Sequence, residues 1–367
     1  MIAVVGILWP SIQWADETAI AGGGAGAPDP EAALAAKLLE RIEDRPTAVA
    51  LADLVPRLND SADARADYLN ALRTQIPPPP EEHQDEDPPP QTLLHGDPET
   101  VFQLADTQAN GLSGTGQIGG GAGAGLNLTD GAAFDPRSAS ELGSGGAAGF
   151  DVGSFISAAN NLLNLTTFYT MKNRAGLVGR TGIATAMASI QAGLSENTPA
   201  PRLHMAGHSF GARAVTQAAA TTTADIHSLT LLQGAFSHYG MATNWDDKGD
   251  NGAFNVTPTR LKGPLLVTFT KNDTAVGLAY AIASRLASQT AAGIGGPDDP
   301  YGGIGRNGAL KTINADPGTL LKVGSQYAFT AAHVANLNSD TFITGHGDVT
   351  GPQVAYAILT ALSHSEN

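Results

Sequence analysis

The chain has 367 residues, 42% of them hydrophobic and 15% charged, and 35 acidic against 20 basic side chains leave a formal net charge of −15. That length allows two domains, or one large domain with an insertion, and a surface of that sign repels a polyanionic duplex, which argues against nucleic-acid binding. There is no cysteine, which excludes a disulfide framework, a thiol nucleophile and thiolate metal sites, and fits a cytoplasmic chain.

Residues 2–8, IAVVGIL, are a continuous apolar, β-branched run. Such a run reads as a buried parallel strand, ended by Pro10. It carries no basic flank and falls short of the roughly 20 apolar residues that span a bilayer, so neither a secretory signal nor a membrane span is expected. Residues 22–26, GGGAG, read as a flexible joint. Asp29-Pro30 then has the form of an N-cap followed by proline at the first helical position. Leu34, Leu38 and Ile42 follow at a spacing of four, an amphipathic helix that ends by Pro46. A second helical stretch, 48–72, is broken or kinked by Pro56.

Residues 76–90, IPPPPEEHQDEDPPP, combine polyproline stiffness with a block of acid and cannot form a core. A short helix is expected over 98–106. Residues 110–150 are dominated by Gly, Ala and Ser and read as poorly ordered. Residues 28–150 are therefore expected to be a helical, partly disordered insertion. Gly114-Thr-Gly116-Gln-Ile-Gly119, inside it, matches G-x-G-x-x-G. No strand precedes it and no acidic residue is placed for a ribose, so it fails the context of dinucleotide binding.

Regularity returns near Phe150. Helices are expected over 152–165 and 175–194. Strands at 202–206, 226–232 and 264–269 then alternate with helices at 210–221 and 276–287. A weaker strand at 326–330 and a closing helix at 352–362 complete the pattern. Strands separated by helices imply an α/β fold: a mostly parallel sheet flanked by helices.

Between the strand at 202–206 and the helix at 210–221 lies Gly207-His208-Ser209-Phe210-Gly211. In a chain with 44 glycines a bare G-x-S-x-G means little. Its place at a strand-to-helix turn is what matters, because such a turn exposes a serine at the carboxyl edge of the sheet. Ser209 would be held in a strained conformation. The helix N-terminus behind it would aim N–H groups at a developing oxyanion.

A serine hydroxyl needs a base, and the base needs a carboxylate to orient it. In a parallel sheet these come from loops after later strands, in the order Ser, Asp or Glu, His. Asp273 follows the strand PLLVTFT directly and could also cap the next helix. Asp298, Asp299 and Asp340 are the alternatives. Among the nine histidines, His346 is favoured as the base. It lies between two glycines in the loop before the last helix, with His333 and His238 behind it. Asp348 reads as a cap of that helix.

On these residues the chain resembles the α/β-hydrolase superfamily, in its serine esterase and lipase-like branch. The matching positions are the Gly207–Gly211 pentapeptide, Asp273 and His346, and the resemblance covers about 150–367 plus the first strand. It implies a catalytic domain made of 1–27 and 151–367, with 28–150 inserted as a cap or as an uninvolved excursion. It also implies that Ser209 is acylated, that His346 acts as base and then acid, that Asp273 orients it, and that the Phe210 N–H donates to the oxyanion. No cofactor or metal is implied. The acidic stretch 244–252, NWDDKGDNG, lacks a Ca²⁺ ligand spacing and reads as a solvated loop. The superfamily places further strands before the elbow, one bringing a second oxyanion donor. Either residues 2–8 fill that place, with Trp9-Pro10-Ser11 as the loop, or the chain lacks its natural beginning. The expected substrate is a small-molecule carboxylic ester with an apolar acyl group; a peptidase or acyltransferase would use the same triad. The alternative is a catalytically silent binding or scaffolding protein of the same fold.

Overall fold

The computed structural model describes residues 2–11, 29–78, 87–106, 154–194, 202–287 and 296–364. The joint at 22–26, the centre of the acidic proline-rich stretch and the glycine-rich segment with Gly114–Gly119 lie outside them.

The fold is α/β. Five strands form one all-parallel sheet: β1 Leu203–His208, β2 Ile226–Leu232, β3 Leu265–Phe269, β4 Ala315–Thr319 and β5 Val334–Asn338, in the order β1-β2-β3-β5-β4. Alternation along each strand splits the core between two faces. Leu229, Leu231, Leu265, Val267 and Val334 join the larger cluster, and Leu232, Leu266, Ala335 and Leu337 join a smaller one on the other face.

The longer helices are α1 Pro30–Arg41, α2 Arg45–Leu54, α3 Ala62–Arg73, α4 Pro98–Ala105, α5 Ser154–Leu177, α6 Ala184–Leu194, α7 Phe210–Thr221, α8 Thr274–Leu286 and α9 Pro352–His364. Their starts are written in the sequence. Asp29, Asp44, Ser61, Asp97 and Asp273 each accept a backbone N–H from the first turn that follows. Pro56 falls in a short 3-10 turn, Val55–Arg57, between α2 and α3. α7 packs on β1 and β2, α5 packs on α7 and α8, and α9 covers the smaller cluster through Val354, Ala357 and Ala361.

The helices before residue 106 are a second layer on α5 and α8, sharing the larger core through Leu38, Leu51, Tyr68 and Phe102. Polar contacts tie the layers: Tyr68 Oη donates to the Ala159 carbonyl at 3.1 Å, and Lys37 Nζ to Asn160 Oδ1 at 3.0 Å. Among the described residues no helix is long and apolar enough to cross a membrane.

Three expectations are corrected. Residues 2–8 are not a strand: Val4 and Leu8 are 90% and 99% exposed. A strand needs a neighbour to pair with, and among the described residues the only ladder partner of β1 is β2. Among the described residues, contacts hold the end of this segment: Trp9 packs against the larger core, and the Pro10 carbonyl accepts from Arg174 Nη1 at 3.0 Å. Residues 326–330 are also unpaired, because Tyr327 and Phe329 stack on each other and pack against the smaller core. The strands here are β4 and β5 on either side. Finally, the helices of 152–165 and 175–194 are one continuous run: α5 spans the gap between them, and a π-helical stretch at Val178–Ile183 joins α5 to α6. A Cβ on Gly179 would lie 2.3 Å from the Ala214 carbonyl oxygen, so glycine permits the close approach to α7 there.

Candidate active site

The elbow begins with a steric requirement. A Cβ on Gly207 would come within 2.3 Å of the Gly211 carbonyl oxygen and 2.6 Å of the Ala212 nitrogen. The chain doubles back on itself between β1 and α7, and only glycine fits at the crossing. Ser209, at the apex, has φ 56° and ψ −124°, a conformation that costs a non-glycine residue about 1–3 kcal/mol. It is held there from β2. Its N–H donates to the Leu232 carbonyl at 3.0 Å, and its own carbonyl accepts from Ala235 and Ala212, both at 3.1 Å.

His346 Nε2 lies 2.9 Å from Ser209 Oγ, and His346 Nδ1 lies 2.9 Å from Asp273 Oδ2. A carboxylate oxygen only accepts, so the proton sits on Nδ1 and the Nε2 lone pair faces the serine hydroxyl. Ser209, His346 and Asp273 thus form one hydrogen-bonded chain drawn from the ends of β1 and β3 and from the loop after β5. In this order a hydroxyl proton can pass to the imidazole while the carboxylate steadies the cation that results.

Asp273 is fully buried and serves two partners. Oδ2 faces His346, and Oδ1 accepts the Val276 N–H at 2.9 Å as the N-cap of α8. Arg306, which the sequence reading passed over, stands beside it. Its guanidinium donates to the carbonyls of Lys271 and, at 3.4 Å, Asp273. Burial holds this guanidinium below its ordinary range, while the charges of Asp273 and Asp340 pull it back up. A cation is thus placed behind the carboxylate. Phe210 is the first residue of α7, directly after Ser209 in the chain, so its N–H lies in the first turn of that helix.

The other candidates are engaged elsewhere. Asp340 Oδ1 accepts from Thr270 Oγ1 and from the Lys271 N–H, both at 2.9 Å, and staples the loop after β3 to the loop after β5. Asp299 accepts from Ser284 Oγ at 2.5 Å and from the Tyr301 N–H at 2.8 Å. His333 pairs with Asp316 at 2.9 Å, and His238 with Asn307 at 3.0 Å. Asp348 does not cap α9. Its carboxylate accepts the N–H and hydroxyl of Thr344, at 3.0 and 2.9 Å, closing the turn that carries His346. In the acidic loop, Asp246 Oδ1 accepts the N–H groups of Lys248 and Asp250, at 2.9 and 3.0 Å. Among the described residues no group of three or more potential metal-ligating side chains comes together.

No family model, no curated protein and no solved structure matches the chain.

Proposed function

We propose that the protein is a serine hydrolase of carboxylic esters, of the α/β-hydrolase kind. The supporting observation is the pair of 2.9 Å contacts that link Ser209, His346 and Asp273 at the carboxyl edge of a parallel sheet. In this reading His346 Nε2 takes the Ser209 proton as Oγ attacks the ester carbonyl. Asp273 steadies the imidazolium, and the Phe210 N–H donates to the tetrahedral oxyanion. His346 then returns the proton to the departing alcohol. An acyl-enzyme remains on Ser209, and water, activated by the same imidazole, hydrolyses it. The strained Ser209 backbone and the glycine crossing at Gly207 support the same reading, because both hold the hydroxyl at the apex of the turn.

Hydrolysis of p-nitrophenyl esters of rising acyl length tests this. Turnover that disappears in Ser209→Ala is expected. Equal turnover in the two proteins contradicts it, and no turnover on any ester favours a silent binding protein of the same fold.

A further inference from the structure

His208 stands one residue before the serine, at the end of β1, and the chemistry above gives it no role. Its Nε2 lies 2.7 Å from the backbone carbonyl oxygen of His346, and the two rings are 4.7 Å apart, tilted by 45°. The carbonyl only accepts, so His208 carries its proton on Nε2 and donates it. No strand or helix covers the stretch between β5 and α9, and His346 lies in it between Gly345 and Gly347. A backbone of that kind has little stiffness of its own. The aim of the His346 ring therefore depends on what holds its main chain. Asp273 and Ser209 hold the ring, whereas His208 holds the carbonyl from the strand that also carries the nucleophile.

We infer that His208 is a positioning residue for His346. Its Nε2–H clamps the His346 carbonyl to the end of β1, so that base and nucleophile ride on one rigid element. The inference rests on the hydrolase reading for its effect on rate, but the clamp itself is independent of that reading. A misplacement of about 1 Å in such a group costs roughly 10²-fold in rate.

The test uses the full chain with ¹⁵N-labelled histidine, together with His208→Phe, which keeps a ring and removes the donor, and His208→Gln, which keeps an N–H donor. At neutral pH the unsubstituted protein is expected to show His208 as the Nε2–H tautomer and a slowly exchanging Nδ1 proton on His346. His208→Phe is expected to make that proton exchange fast. It should also lower the saturating rate of fluorophosphonate labelling about 10²-fold, with little change in the half-saturating concentration. His208→Gln should restore much of both. His208 found as the Nδ1–H tautomer overturns the inference. So does a His208→Phe protein that matches the unsubstituted one in both measurements. If the unsubstituted protein takes no label, the hydrolase reading fails, and the exchange of the His346 proton still decides the clamp. If His208→Phe does not fold, His208→Gln decides: slow exchange retained supports the clamp, and slow exchange lost overturns it.

Discussion

Gly207 and Gly211 flank Ser209 symmetrically in sequence but not in space: a Cβ on Gly207 would strike the Gly211 carbonyl oxygen at 2.3 Å, and a Cβ on Gly211 meets nothing within 4 Å. The two positions therefore differ in what they tolerate. Gly207→Ala forces backbone apart at the crossing and should destabilise the fold by about 1–3 kcal/mol or more. Gly211→Ala adds a helix-favouring residue in the first turn of α7 and should be neutral or stabilising by up to about 1 kcal/mol. Urea unfolding of the two variants checks this, and equal losses would contradict it.

The two tasks of Asp273 are separable. Asn is as good an N-cap as Asp, so Asp273→Asn should leave the melting temperature nearly unchanged. An amide cannot hold the imidazole in the same tautomer, and the labelling or hydrolysis rate should fall about 10³–10⁴-fold. Asp273→Ala should lose the rate and also about 1 kcal/mol of cap. Calorimetry beside rate measurements separates the two variants.

Burial pushes the His238 imidazole down to about 3 from an ordinary 6.5, against a smaller upward pull from the Asp299 backbone. Between those values the unfolded chain binds a proton that the folded chain refuses. The contribution of a neutral His238 is thus whole above about pH 6.5 and is lost as pH falls toward 3, by at most about 1.4 kcal/mol per pH unit. His238→Asn lacks this titration. Relative to the variant, the unsubstituted protein should lose roughly 2–3 kcal/mol between about pH 7 and about pH 4.5, measured by urea unfolding at each pH. A constant difference between the two proteins would contradict the assignment.

Lys172 and Asp87 form a buried ion pair, with side chains 3% and 0% exposed. Tyr280 Oη also donates to Asp87 Oδ2 at 2.5 Å, and the Lys172 carbonyl accepts from Arg213 Nε at 2.9 Å. The cluster ties residue 87 to α5 and α8. Lys172→Met strands a buried carboxylate and should cost about 3–5 kcal/mol. A loss under about 1 kcal/mol in chemical denaturation, the range of exposed pairs, would mean that the pair is not buried in solution.

The legible parts of the chain were those where local chemistry and tertiary role agree. The strand expected over 226–232 is β2, because an apolar run inside a sheet has neighbours on both sides. Asp273 could be read both as a cap and as a site residue because one carboxylate has two oxygens, and here each has a partner. Residues 2–8 misled, since an apolar, β-branched run specifies a strand only when an edge is there to receive it. β4, ADPGT, was invisible for the opposite reason. It is an exposed edge strand with Pro317 and Gly318 inside it, and its ladder with β5 rather than its side chains defines it. Arg306 and the contact of His208 with His346 join residues 33 and 138 positions apart. No local pattern announces such pairs.

Treatment of the full-length chain with a fluorophosphonate, followed by intact-mass and peptide mass spectrometry, tests the central claim most directly. The expected result is one phosphonyl adduct, mapped to Ser209, lost in Ser209→Ala and strongly slowed in His346→Ala. A folded protein that takes no adduct, or takes it on another residue with Ser209 unmodified, would contradict the assignment of Ser209 as a nucleophile.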